Sequence, residues 1–246
     1  DSYICNAGDN IIHIYDGEKG QVKTITLNQT PAAGALPTFL VEMKGGYKTE
    51  KLTLKKNDIL FLYTDGIEES TRFFRNKDYQ IVPCQYNGLK SGEVHENHKT
   101  GQESEQLESD RIIQIIEAAL NKKQFVLKKH HNPEENENLT FDFSKLEGTV
   151  QDAVLSLAGV EKVFRLYKTK GAAGKVYATE KGAIRMEGAV VRVDRKIDGF
   201  LKKCFNRYDY YCSQQQDLQE ENYIYYCGVE EDRQAGDLTL LGIQKL

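Results

Sequence analysis

The sequence predicts an α+β fold, and three observations predict it. Short β-prone runs with period-2 alternation fill residues 2–63. Segments with helical 3/4 spacing follow between residues 111 and 205. Aromatic and aliphatic β-prone runs return between residues 223 and 243. Strands, then helices, then strands again suggest α+β.

The elements follow in order. Residues 2–5 alternate as a strand. Residues 11–15 are apolar and β-branched and run into Asp16-Gly17, a hairpin signal. Residues 22–27 alternate with period 2, and Pro31, Gly34 and Pro37 mark an irregular loop. Residues 39–43 and 51–54 read as two further strands. Residues 59–63 form an unbroken apolar run behind Asp58, the pattern of a strand buried on both faces. Residues 76–110 are polar and read as a long loop or insertion.

A helix is predicted over 111–121, with Asp110 as N-cap and Ile112, Ile115, Ile116 and Ala119 on one face. Residues 130–138 read as a solvated turn. The strongest helix covers 149–167, with Thr149 as N-cap, Asp152 at the third position, and a stripe of Val150, Val154, Leu157 and Ala158, with Phe164 further on. Residues 168–189 are glycine-rich without a clear period and read as a mobile loop. Residues 194–205 form a third helix with Ile197, Leu201 and Cys204 on one face. Residues 223–227 are a strand, Glu230, Glu231 and Asp232 an acidic turn, and residues 238–243 a final strand.

The 246 residues allow one large domain or two small ones, and 39% apolar residues suffice for a core. A net charge of −4 argues against a nucleic-acid partner, which calls for a basic footprint. No apolar run approaches the ~18 residues of a membrane span, and no signal peptide is recognisable. The expected localisation is therefore cytoplasmic, with no membrane contact by this segment. The five cysteines (5, 84, 204, 212 and 227) are odd in number and scattered, without a disulfide framework or a metal knuckle, which fits a reducing compartment. Asp1 leads at once into a strand, so the chain reads as a piece of a longer protein cut inside a domain.

Two acidic positions carry the chemistry. Asp65 ends the buried strand in Thr64-Asp65-Gly66. A carboxylate there is held by a stiff element yet faces the sheet edge, and Mg²⁺ or Mn²⁺ favours such hard oxygen ligands. Asp237 begins the last strand. If that strand lies antiparallel beside residues 59–63, its start meets the end of its partner and the two acids approach. Two carboxylates at one place repel unless a cation joins them. The plain alternative for each is a turn or cap aspartate. His95, His98, His130 and His131 read as solvated, Arg195, Lys196, Lys202 and Lys203 as a solvated helix face, and Tyr208, Tyr210, Tyr211, Tyr223, Tyr225 and Tyr226 as packing.

Residues 60–70, LFLYTDGIEES, resemble the LYTDG-acidic motif of the SpoIIE-like serine/threonine protein phosphatases, a bacterial branch of the metal-dependent protein phosphatase superfamily. Three further segments agree in order. Residues 3–8 resemble the family's NAG strand-turn, residues 52–58 the strand-turn-Asp before the buried strand, and residues 236–243 the C-terminal acidic-L-T-L-L strand. The resemblance covers residues 1–72 and 236–244, with 76–230 as a family-variable helical insertion.

The resemblance implies a β-sandwich flanked by helices in α-β-β-α layers, of which this chain is the C-terminal part. It implies a binuclear Mn²⁺ or Mg²⁺ centre whose bridging water attacks phosphorus in line. Asp65 matches the catalytic, metal-ligating aspartate. The C-terminal motif carries two acids of which the first is the ligand. That position is Gly236 here, and Asp237 remains as the second metal residue. The family's early Gly-Gly-Asp motif is absent. The implied substrate is a phosphorylated regulatory protein, such as an anti-anti-sigma-type partner, in bacterial signalling. A sensory or membrane-anchoring region is implied upstream in the parent protein. By itself the segment is expected to be inactive. The alternative is a catalytically incomplete phosphatase-like module that binds a partner.

Overall fold

The structure, a computed structural model, describes residues 2–5, 11–31, 33–76, 78, 80–83, 103–129, 137–168, 176–178, 184–186, 190–192, 195–205, 223–225, 229–234 and 236–246. In chain order its elements are β1 (Ser2–Cys5), β2 (Ile11–Asp16), β3 (Gln21–Thr26), α1 (Thr38–Met43), β4 (Thr49–Leu52), β5 (Ile59–Tyr63), α2 (Asp65–Glu68), β6 (Thr71–Phe73), β7 (Ser104–Gln106) and α3 (Glu108–Leu120). There follow β8 (Gln124–Lys129), β9 (Glu137–Asp142), a 3-10 turn (Phe143–Lys145), α4 (Val150–Arg165), β10 (Leu166–Lys168), β11 (Val176–Ala178), β12 (Ile184–Met186) and β13 (Val190–Arg192). The last are α5 (Arg195–Cys204), β14 (Tyr223–Tyr225), β15 (Val229–Glu231) and β16 (Leu240–Gln244). Helices and antiparallel strands mix, as an α+β fold requires.

The central sheet has the order β16-β5-β2-β3, antiparallel throughout. Successive side chains of β5 leave opposite faces. Ile59 and Phe61 enter the main core with α3 and α4, and Leu60 enters a second cluster with Ile12, Ile14 and Leu27. This is why the run 59–63 is apolar without alternation. The paired strands β1 and β4 set Ile4 and Leu52 against the second cluster.

Edge strand β16 lies under α4. A side chain at Gly242 would come within 2.5 Å of Val150, so only glycine lets the strand pack this close. Helix α4 starts in a full capping box. The Asp152 N–H donates to Thr149 Oγ1, and Asp152 Oδ2 accepts from the N–H groups of Glu147, Gly148 and Thr149. Such caps contribute about 1 kcal/mol.

The β2–β3 turn is organised by Asp16. Its carboxylate takes the Lys23 ammonium at 2.8 Å and the N–H groups of Glu18 and Lys19. These donors, Lys23 first, hold its pKa down at about 2 against the usual 3.8. The folded state therefore binds this proton less readily than the unfolded chain. The stability it contributes is present above about pH 4 and lost as pH falls toward 2. Urea melts from pH 5 to 2 are expected to show a shallower loss of stability in Asp16→Asn than in the unaltered chain.

Several expectations need correction. Residues 39–43 are helical, not a strand. Pro37 starts the turn, its carbonyl accepts from the N–H groups of Leu40 and Val41, and only Val41 is buried. The strand expected at 51–54 sits two residues earlier, in β4. Helix α3 begins before Asp110, which lies inside the first turn, where its charge still favours the helix dipole, and is not the cap. Ile112, Ile115, Ile116 and Ala119 are fully buried as expected. The hairpin β8–β9 adds to the expected elements, with Phe125, Leu127, Leu139 and Phe141 alternating inward.

Within 168–189, β11 and β12 pair as a hairpin and not as a loop. The acidic run at 230–232 is not a turn, because Glu230 and Glu231 belong to β15, paired with β10. Residues 6–8, His95, His98, His130, His131, Tyr208, Tyr210, Tyr211 and Tyr226 lie outside the described residues. Among the described residues no helix is long and apolar enough to cross a membrane.

Candidate functional site

The site grows from the end of β5. β16 runs antiparallel beside it, with Leu240 opposite Tyr63 and Gln244 opposite Ile59, so the approach to β16 crosses the exit of β5. Thr64 continues in extended geometry, and Asp65 is the first residue of the four-residue turn α2. Thr64 stitches the two segments together. Its N–H donates to the Thr239 carbonyl at 3.0 Å, its hydroxyl donates to the Asp237 carbonyl at 2.5 Å, and its Oγ1 accepts the Thr239 N–H at 2.9 Å.

Gly66 is the second half of this crossing. A Cβ there would stand 2.5 Å from the Asp237 carbonyl oxygen and 3.0 Å from the Gly236 carbonyl carbon. Backbone passes over backbone, and only glycine fits. From the other side, a Cβ at Gly236 would lie 3.3 Å from Gly66 Cα and 4.0 Å from Asp65 Oδ1. The fold thus brings Asp65 to the 236–237 segment. The side chains of Asp65 and Asp237 are both exposed.

Beneath the turn, Tyr63 anchors the strand end. Its hydroxyl pairs with His13 Nε2 at 2.6 Å, and the rings stack at 5.5 Å. His13 is fully buried, and its Nδ1 pairs with Thr24 Oγ1. Sequence reasoning missed His13 and Thr64. A histidine inside the β-prone run 11–15 was a signal for the first. The spacing Thr64–Asp65 gave no warning of the second, because its partners come from residues 237 and 239.

The donor set is thin for a two-metal centre. A side chain at 236 would emerge beside Asp65, and glycine supplies no carboxylate there. Among the described residues no group of three or more His, Cys, Asp or Glu side chains is placed to hold a metal ion. The acids at 231–232 are committed elsewhere. Glu231 pairs with Arg165, and Asp232 with Arg75. The described residues therefore do not fit a binuclear cation centre.

Cys204 is buried in the main core, and burial pushes its thiol up to about 12, far from the thiolate that nucleophilic chemistry needs. The ammonium side chains of Lys196, Lys202 and Lys203 lie on the exposed face of α5.

Comparison with known proteins agrees with the turn's sequence. The family model described as Stage II sporulation protein E (SpoIIE) matches residues 1–123, half of the chain. The match includes β5, Asp65 and α3 and stops short of Gly236 and Asp237. No curated protein and no solved structure matches the chain. The chain belongs to the SpoIIE family.

Proposed function

We propose that this chain is part of the catalytic domain of a metal-dependent protein serine/threonine phosphatase. Asp65 is its metal-ligating carboxylate and Asp237 a second, weaker contributor. The observation that carries the reading is the placement of Asp65. It is the second residue after the buried strand β5 and the first of a turn that Thr64 and Gly66 lock against the 236–239 segment. A ligand held this way loses little entropy on binding a cation. Mn²⁺ or Mg²⁺ suits an all-carboxylate donor set. The proposed substrate is a phosphorylated regulatory protein of the anti-anti-sigma type.

Phosphate release from a phosphoserine or phosphothreonine protein, with Mn²⁺ supplied to the natural chain containing residues 1–246, tests the reading. Asp65→Asn is expected to reduce turnover by at least roughly 100-fold, the scale of losing a group that stabilises transition-state charge. Undiminished turnover in that variant removes Asp65 from the chemistry.

A second reading has its own observation. Glycine at 236, beside Asp65, with no third ligand gathered among the described residues, favours a phosphatase-like module that binds a partner without turnover. Residues 1–246 alone are expected to release little or no phosphate under either reading. Mn²⁺-dependent turnover by the natural chain distinguishes them.

A further inference from the structure

A cluster of buried charges lies behind the Asp65 turn, and the function above leaves it unused. Arg75 grips Asp232 with both ends of its guanidinium, and that group lies over the Tyr167 ring at 3.4 Å. Asp232 Oδ2 also accepts the Phe73 N–H at 3.0 Å. Arg165 donates to Glu161 at 2.5 Å, to Glu231, and to the Asp232 carbonyl at 3.1 Å. In return its own carbonyl accepts the Asp232 N–H at 2.9 Å. Glu161 accepts the Ser70 hydroxyl at 2.7 Å, and Ser70 follows directly on the turn that carries Asp65. Arg75, Glu161, Arg165 and Asp232 are each about 95% buried or more.

The path through these groups closes on itself. From Asp65 the chain reaches Ser70, and hydrogen bonds lead on to Glu161, Arg165 and Asp232. Five residues later comes Asp237, whose carbonyl accepts from Thr64, the neighbour of Asp65. The closing segment is thus fastened at 231–232 by ion pairs and at 237–239 by Thr64. Buried ion pairs give little net stability against apolar replacements, but they fix geometry, because a bidentate fork has one acceptable arrangement.

We propose that Arg75 and Arg165 are positioning residues for the Asp65 site. By locking Glu231 and Asp232 they hold residues 236–239 across the turn that carries Asp65. The assignment of a site to position rests on the reading of Asp65 given above. The latch itself does not. Arg75 and Asp232 also stand at the two ends of the 76–230 segment, so the same pair closes the base of that segment.

Amide hydrogen exchange on residues 1–246 tests the latch. The double variant Arg75→Met/Asp232→Asn removes both charges together and keeps an acceptor for the Phe73 N–H. It is expected to speed exchange at the Thr64 and Thr239 amides by at least roughly tenfold, with the buried amides of Ile115 and Ile116 in α3 unchanged, since local opening is separable from global unfolding. Unchanged exchange at Thr64 and Thr239, or a rise no larger than that in α3, overturns the proposal. Should the double variant fail to fold, Glu231→Gln, at the half-buried end of the Arg165 pair, gives the same readout with the same two outcomes. The readout needs no cation, so it is independent of the metal reading. Protection of the same amides by Mn²⁺ in the unaltered chain reports on that reading separately.

Discussion

Arg165→Ala is expected to cost about 3–5 kcal/mol of folding free energy, the penalty for stripping one partner from a buried ion pair. Arg165 is buried and spans Glu161, Glu231 and the Asp232 carbonyl. Its loss leaves the Glu161 carboxylate buried with the Ser70 hydroxyl as its remaining donor among the bonds described above. For a domain whose total stability is on the order of 5–15 kcal/mol, this is a large share. Urea denaturation measures it as a lower midpoint at unchanged slope. A loss under about 1 kcal/mol would mean that water reaches the cluster.

Gly66→Val is expected to cost about 1–3 kcal/mol, the range for overpacking a closed site, and to open the site as well. The added Cβ meets the Asp237 carbonyl oxygen at 2.5 Å, and backbone cannot rotate away as a flexible side chain would. The 236–239 segment must lift, which breaks the hydrogen bonds Thr64 makes to Asp237 and Thr239. Gly199→Ala in α5 is the matched control. Nothing lies within 4 Å of a Cβ there, so the change should stabilise by up to about 1 kcal/mol through helix propensity. Thermal melts of the two variants should move in opposite directions.

How far the sequence reached depends on how local the cause was. Helix α4 was legible because its capping box and its apolar spacing lie within one segment, and β5 because burial on both faces leaves an unbroken apolar run. Residues 39–43 misled because Phe39 and Val41 have strand-prone side chains, while the turn is set by Pro37 and by the exposure of Phe39 and Met43. The acidic run 230–232 misled for another reason. It read as a turn, but Arg165 and Arg75, the partners of Glu231 and Asp232, arrive from elements far away in sequence. At the site, the position of Asp65 just past β5 and the condition that β16 lie antiparallel beside β5 were readable. Thr64 as the stitch and His13 beneath Tyr63 were not, because each depends on contacts that exist only once the sheet has formed.

The proposed role of Asp65 as a cation ligand, in a site left incomplete among the described residues, can be measured on this chain. Titration calorimetry of residues 1–246 with Mn²⁺, beside Asp65→Asn, tests it most directly. Two carboxylates leave a divalent ion mostly hydrated, so weak binding of at most one Mn²⁺ per chain is expected, abolished in Asp65→Asn. Binding that survives that substitution, or two tight sites with metal-dependent phosphate release, would contradict it.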